Sequence, residues 1–223
     1  MVHFLRFSQE PWYNPFMDRF ISILIGYGFG CFLTAELVAK SFAGKTAKEL
    51  GGTGNPGMAN VMAQLGFIPG ILTLAGDLAK CVLASLTVWL LFGSGGGILI
   101  LYAGLGCTLG HDFPFWRKFR GGKGVATTSI AIVLYAFLPG LLANAAGMLV
   151  VFFTKYLCIG GPVIPLVFMI AMAVRGEPEA AVAALVLAVL SFWSHGSAIR
   201  GIRAGETKRT DVLAAIKKKV RRS

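Results

Sequence analysis

Charge is scarce in this chain of 223 residues, and acidic charge most of all: ten Asp and Glu stand against 21 Lys and Arg, and the four types together make up 14%. An ordinary soluble domain carries roughly a quarter charged residues. With 56% hydrophobic residues and a mean hydropathy of +0.72, the shortage excludes a conventional soluble enzyme and indicates an integral membrane protein. No long polar block interrupts the apolar runs, so a soluble appendage is not expected. The reading is one membrane domain over 1–209 followed by a basic tail, 210–223. The first nineteen residues are mixed and aromatic rather than basic and then apolar, so no secretory signal is expected either.

Other absences exclude particular chemistries. Cys31, Cys81, Cys107 and Cys158 lack CxxC or histidine spacing, which argues against a zinc site or a disulfide scaffold and for small buried hydrophobes. There is no GxxxxGK[ST], HExxH, HxxxxD or GxSxG, so a nucleotide loop, a zincin, that acyltransferase box and a serine elbow are all missing. No cofactor and no metal site are expected. A net charge of +11 would suggest nucleic acid for a soluble chain; here the cations fall between apolar runs, and the expected partner is membrane lipid, with no nucleic acid.

What is present is a series of apolar runs, at 20–39, 68–92, 97–109, 125–138, 141–157, 161–174 and 180–194. They predict an all-α polytopic bundle of about seven transmembrane helices, with five to seven crossings because the third, fourth and sixth runs are short. With seven crossings, 17 of the 21 Lys and Arg fall on one face, Arg6, Arg19 and Arg175 on the other, and Lys80 inside a run. The positive-inside tendency makes that face cytoplasmic, with the N-terminus outside and the C-terminus cytoplasmic. The tail "IKKKVRRS" reads as a solvated face leaning on anionic lipid.

The same face receives three polar, glycine-bearing segments: 44–60, 110–128 and 194–208. In "GGKGVATT" the glycines permit close backbone approach, and a helix starting there offers free amides which, with Lys123, suit a phosphate; close helix packing explains the glycines equally well. In "GGTGNPGMAN", Thr53, Asn55 and Asn60 offer short polar groups and turn amides that suit a phosphate or an oxyanion, or build a structural turn. Asp77 and Lys80 share one helix face inside an apolar run, where ionised groups line a polar cavity or pair with each other. His111 and His195 each read as a base, a phosphate ligand or an interfacial packing residue.

"GTGNPGMAN" (52–60), "DLAK" (77–80) and "GHDFPFWRKFRGGKGVAT" (110–127) together resemble the motifs of the bacterial acyl-phosphate:glycerol-3-phosphate acyltransferases, and the likeness covers about 21–208. The first motif has Thr53 for the usual serine and Ala59 for the usual threonine, and Glu49 stands where an arginine is usual. The third motif reads "HGSAIRGIRAGET", keeping His195, with Ala198 for asparagine, Gly201 for arginine, and Glu206 one residue early. The resemblance implies a multi-pass enzyme of the bacterial inner membrane, its active face cytoplasmic, making lysophosphatidic acid from acyl-phosphate and glycerol 3-phosphate. It implies catalytic roles for Thr53, His111 and His195. The acceptor phosphate would lie on the amides of Gly121, Gly122 and Gly124 with Lys123, while Thr53, Asn55 and Asn60 would hold the donor. Asp77, Lys80, Arg117, Lys118 and Glu206 complete the substrate-binding set, Glu206 by ordering its loop through a cation such as Arg203. Two alternatives stay open: a non-catalytic binder or regulator, and a transporter of a phosphorylated solute.

Overall fold

The computed structural model describes residues 14–93, 97–207 and 209. The tail 210–223, Lys208 and Arg6 lie outside the described residues. Every regular element among the described residues is helical: α1 Pro15–Gly30, α2 Thr34–Ala43, α3 Met58–Leu65, α4 Phe67–Phe92, α5 Gly97–Asp112, a single 3-10 turn Phe115–Arg117, α6 Val125–Tyr135, α7 Phe137–Thr154, α8 Leu157–Val174 and α9 Pro178–Arg203. Six stretches are long and apolar enough to cross a bilayer: Pro15–Ala43, Phe67–Phe92, Gly97–Arg117, Phe137–Thr154, Leu157–Val174 and Pro178–Arg203. At 11 residues, α6 falls short of that length. The protein is therefore a multi-pass helical membrane protein, and it divides into two compact units, Met1–Ala136 and Phe137–Ser223.

In the first unit, glycines on two helices interlock. Gly26 and Gly30 of α1 lie so close to the backbone of Ala103 and Cys107 that a Cβ on either would collide there, and Gly106 and Gly110 of α5 meet Ile23 and Tyr27 in the same way. Both pairs are small-xxx-small spacings, which bring helix backbones into van der Waals contact where lipid offers no hydrophobic drive. Gly104 of α5 packs on Ala131 of α6 similarly.

The run 20–39, expected as one helix, is broken at Cys31–Leu33. A break in a membrane segment exposes carbonyls that must find partners within the protein. Lys80 Nζ donates to Gly30 O at 3.3 Å and Phe32 O at 3.0 Å, and Trp116 Nε1 donates to Cys31 O at 2.8 Å. The kink thus persists because α4 and the 3-10 turn bond its carbonyls. The fourth run also ends sooner than its hydropathy suggests, with extended backbone at Ala136 between α6 and α7.

The second unit is built by α7, α8 and α9. Gly147 of α7 and Gly160 of α8 face Ile164 and Val151 respectively, without room for a Cβ. Pro162 and Pro165 lie inside α8 and are both buried, removing two backbone donors without ending the helix.

Candidate active site

The unit formed by α1 to α6 buries a charged cluster in its apolar core. Asp77, Lys80 and His111 are 2–4% exposed. Lys80 Nζ lies 3.0 Å from Asp77 Oδ1 and 2.7 Å from His111 Nδ1, and Asp77 Oδ1 is 3.6 Å from that same nitrogen. An ammonium can only donate, so His111 Nδ1 accepts; the ring is neutral and its proton sits on Nε2. Nε2 therefore has no lone pair with which to take a proton. "DLAK" pairs with itself and pins a histidine, which is the supporting role among the two its residues allowed.

The stretch after α5 folds back onto that histidine. Gly121 N donates to Asp112 O at 2.8 Å and Gly122 N to His111 O at 2.9 Å. Both amides are spent inside the loop, which corrects the expectation that they bind a phosphate. The glycines serve close packing instead: a Cβ on Gly122 would strike the His111 ring, and one on Gly121 the His111 carbonyl. Gly124 is left-handed with φ 62° and caps α6, where Thr127 Oγ1 donates to Gly124 O at 3.0 Å and sits 3.0 Å from Thr108 Oγ1. The first-turn amides of α6 have no intrahelical acceptor. Asp112, overlooked as a site residue, is buried, and a Cβ on Gly124 would lie 2.9 Å from its Oδ1. A carboxylate thus already faces the positive end of α6.

The basic turn has a tight, strained form. Lys118 and Phe119 are successive non-glycine residues in the left-handed region, φ 54° and 58°, each costing about 1–3 kcal/mol. Phe119 N and Arg117 N both donate to Pro114 O, each at 3.1 Å. Tyr27 donates to Phe113 O at 2.9 Å just before the turn. Arg117 Nη1 lies 2.9 Å from Glu36 Oε1 of α2, so Arg117 is engaged with a carboxylate, while Lys118 and Arg120 are exposed and Lys123 is half-buried. Glu36 was hidden in the sequence because it falls inside an apolar run.

The first motif forms a loop closed by its own last residue. Asn60 Oδ1 accepts from Thr53 N at 3.0 Å and Thr53 Oγ1 at 3.1 Å, and Thr53 Oγ1 in turn accepts from Asn55 N at 3.3 Å. The Thr53 hydroxyl is occupied on both sides within the loop. Asn60 Nδ2, by contrast, is a buried donor with no hydrogen-bond partner among the described residues, and such a group is costly unless something accepts from it. Glu49 turns away from this loop: Thr46 N and Oγ1 both donate to its Oε2 at 2.8 Å and hold its carboxyl below the ordinary range.

In the second unit His195 lies on α9, 3% exposed. Its Nδ1 is 2.8 Å from Ser191 O. A carbonyl only accepts, so Nδ1 carries a proton and donates to it. Glu206 is exposed, its amide closing onto Gly201 O at 2.9 Å; among the described residues it forms no ion pair with Arg203.

The described residues thus form an all-helical, multi-pass membrane fold carrying these polar loops. Residues 20–205 match the model of the family described as glycerol-3-phosphate acyltransferase, and the chain belongs to that family. It is 41% identical over 204 residues to "Glycerol-3-phosphate acyltransferase 1" of Lactobacillus johnsonii, covering 92% of this chain and 98% of that protein. It is 31% identical over 202 residues to the glycerol-3-phosphate acyltransferase of Thermoanaerobacter pseudethanolicus, covering 90% and 100%. Its fold is shared with a crystal structure of PlsY (YgiH), an integral membrane glycerol 3-phosphate acyltransferase in its glycerol 3-phosphate form, at a TM-score of 0.77 and 24% identity over 89% of this chain and 98% of that one.

Proposed function

We propose that this chain transfers an acyl group from acyl-phosphate to the 1-hydroxyl of glycerol 3-phosphate, giving lysophosphatidic acid and inorganic phosphate. The observation that carries the reading is the family match over residues 20–205. The hydroxyl oxygen attacks the acyl carbonyl, an ester C–O bond forms, and the C–O bond to phosphate breaks. The hydroxyl proton ends on the released phosphate, so atoms and charge balance without a covalent acyl-enzyme. The donor is already activated, and the protein's task is to hold two anions in line.

Asn60 Nδ2 is the donor assigned to an oxygen of acyl-phosphate, and Thr53, with both its bonds inside the loop, orients Asn60. With the Asp112 carboxylate facing the end of α6, the acceptor phosphate is assigned to the side chains of Lys123, Lys118 and Arg120. Asp77, Lys80 and His111 position the loop that carries them. The roles of His195 and Glu206 rest on the resemblance of their motif, His195 as the base and Glu206 as a residue ordering its loop. With α6 counted as a seventh crossing, the charge bias supports a cytoplasmic active face in a bacterial inner membrane.

The test is purified protein with long-chain acyl-phosphate and glycerol 3-phosphate, scored for lysophosphatidic acid, with acyl thioesters as competing donors. Product from acyl-phosphate alone is the expected result; binding of glycerol 3-phosphate without product would contradict the reading. Asn60→Asp keeps the acceptor for Thr53 and replaces the free donor with an anion. It is expected to raise KM for acyl-phosphate by roughly tenfold or more, with KM for glycerol 3-phosphate nearly unchanged.

A further inference from the structure

Glu36 is a buried carboxylate, 9% exposed, in a helix whose other buried residues are Thr34, Ala35, Val38 and Ala39. Its two oxygens are divided between two segments distant in sequence. Oε2 accepts from Ala47 N at 3.1 Å, at the start of the first glycine loop. Oε1 lies 2.9 Å from Arg117 Nη1, in the basic turn. Ala47 is fully buried in one apolar cluster with Val61, the residue after Asn60. On the other side Arg117 directly precedes Lys118 and Phe119, the two left-handed residues.

From this arrangement we infer that Glu36 is a positioning residue, which sets the spacing between the loop carrying Asn60 and the turn carrying Lys118, Arg120 and Lys123. The inference rests on the acyl-transfer reading above. One carboxylate has replaced two separate supports: it caps an amide of one loop and neutralises a guanidinium of the other. The geometry also removes Arg117 from the substrate-binding set, since its charge is already answered inside the protein. The neighbouring anchors, Trp116 to Cys31 O and Tyr27 to Phe113 O, are hydrogen bonds of neutral groups to the backbone. The Trp116 ring also lies under the Arg117 guanidinium, 5.9 Å from its Cζ, but carries no charge, so loss of the Glu36 carboxylate leaves Arg117 without a counter-charge there.

Electrostatics by itself gives the opposite sign from positioning. Glu36→Gln keeps an acceptor for Ala47 N but removes one negative charge near a site for anions; if Glu36 were only a nearby charge, KM for glycerol 3-phosphate would fall. If it positions the turn, KM rises despite the more favourable net charge.

The experiment compares wild type, Glu36→Gln, Arg117→Gln and the double variant in proteoliposomes. It measures kcat and KM for glycerol 3-phosphate at saturating acyl-phosphate, and the rate of trypsin cleavage after Lys118 and Arg120. Each single variant is expected to raise KM about fivefold or more with kcat within about twofold, and to speed cleavage. The double variant is expected to be no worse than either single, because both act through one contact. A lowered or unchanged KM in Glu36→Gln with wild-type cleavage would overturn the inference, as would additive effects in the double variant. If wild type makes no product the acyl-transfer reading fails, and the cleavage rates still decide whether Glu36 holds the turn.

Discussion

His111 and His195 look alike in the sequence, each at the end of an apolar run beside a glycine-bearing segment, yet the protein treats them oppositely. The first is met by a cation and the second by a carbonyl. Lys80 forces His111 Nδ1 to accept, leaving a proton on Nε2. Ser191 O forces His195 Nδ1 to donate. The same side chain is thereby held with its Nδ1 accepting in one unit and donating in the other, and what decides is the single atom facing Nδ1.

The most disruptive way to break this contrast is to remove the cation. Lys80→Met strands Asp77 as an uncompensated buried charge and frees the Gly30 and Phe32 carbonyls of the α1 to α2 kink. It is expected to destabilise the protein by about 3–5 kcal/mol, read by thermal unfolding in detergent. Adding Asp77→Asn to it is expected to recover the larger part, because the stranded charge is then gone.

A smaller effect separates the glycines beside the two histidines. Gly122→Ala places a methyl against the His111 ring and is expected to cost about 1–3 kcal/mol. Gly196→Ala, next to His195, meets only the far end of Arg200, with Nη1 at 3.5 Å. Being inside a helix, it is expected to stabilise by about 0.5–1 kcal/mol. Equal costs at the two sites, in the same unfolding experiment, would contradict this difference between the two glycines.

Much of the fold was legible because hydropathy and helix length report directly on bilayer crossing; the runs beginning at 68, 97 and 180 correspond to α4, α5 and α9. The kink at Cys31–Leu33 was not, since hydropathy runs unbroken through it. Its cause lies in Lys80 and Trp116, 48 and 85 residues from the carbonyls they bond. The location of the second motif was legible from its residues, but not what its glycines do. "GGKG" suits free amides and close packing equally, and only the carbonyls of His111 and Asp112 decide for packing at Gly121 and Gly122. Glu36 was concealed by apolar neighbours, and Thr53 gave no sign that its hydroxyl closes onto Asn60. For the kink, the glycines and Glu36 the deciding partner is remote in the chain or is a backbone atom, neither of which a motif records; for Thr53 the partner lies in the same motif, which records residues but not the fold of the loop that joins them.

The most direct measurement is the kcat for acyl transfer of His111→Asn beside His195→Asn, the same substitution at both sites. At 111 the asparagine Oδ1 can still accept from Lys80; at 195 its Nδ2 can still donate to Ser191 O; neither supplies a basic ring nitrogen. The expected result is His111→Asn within about tenfold of wild type and His195→Asn lower by about 10²–10⁴, the usual contribution of a general base. A hundredfold loss at His111 with near-normal turnover at His195 would contradict the division of roles.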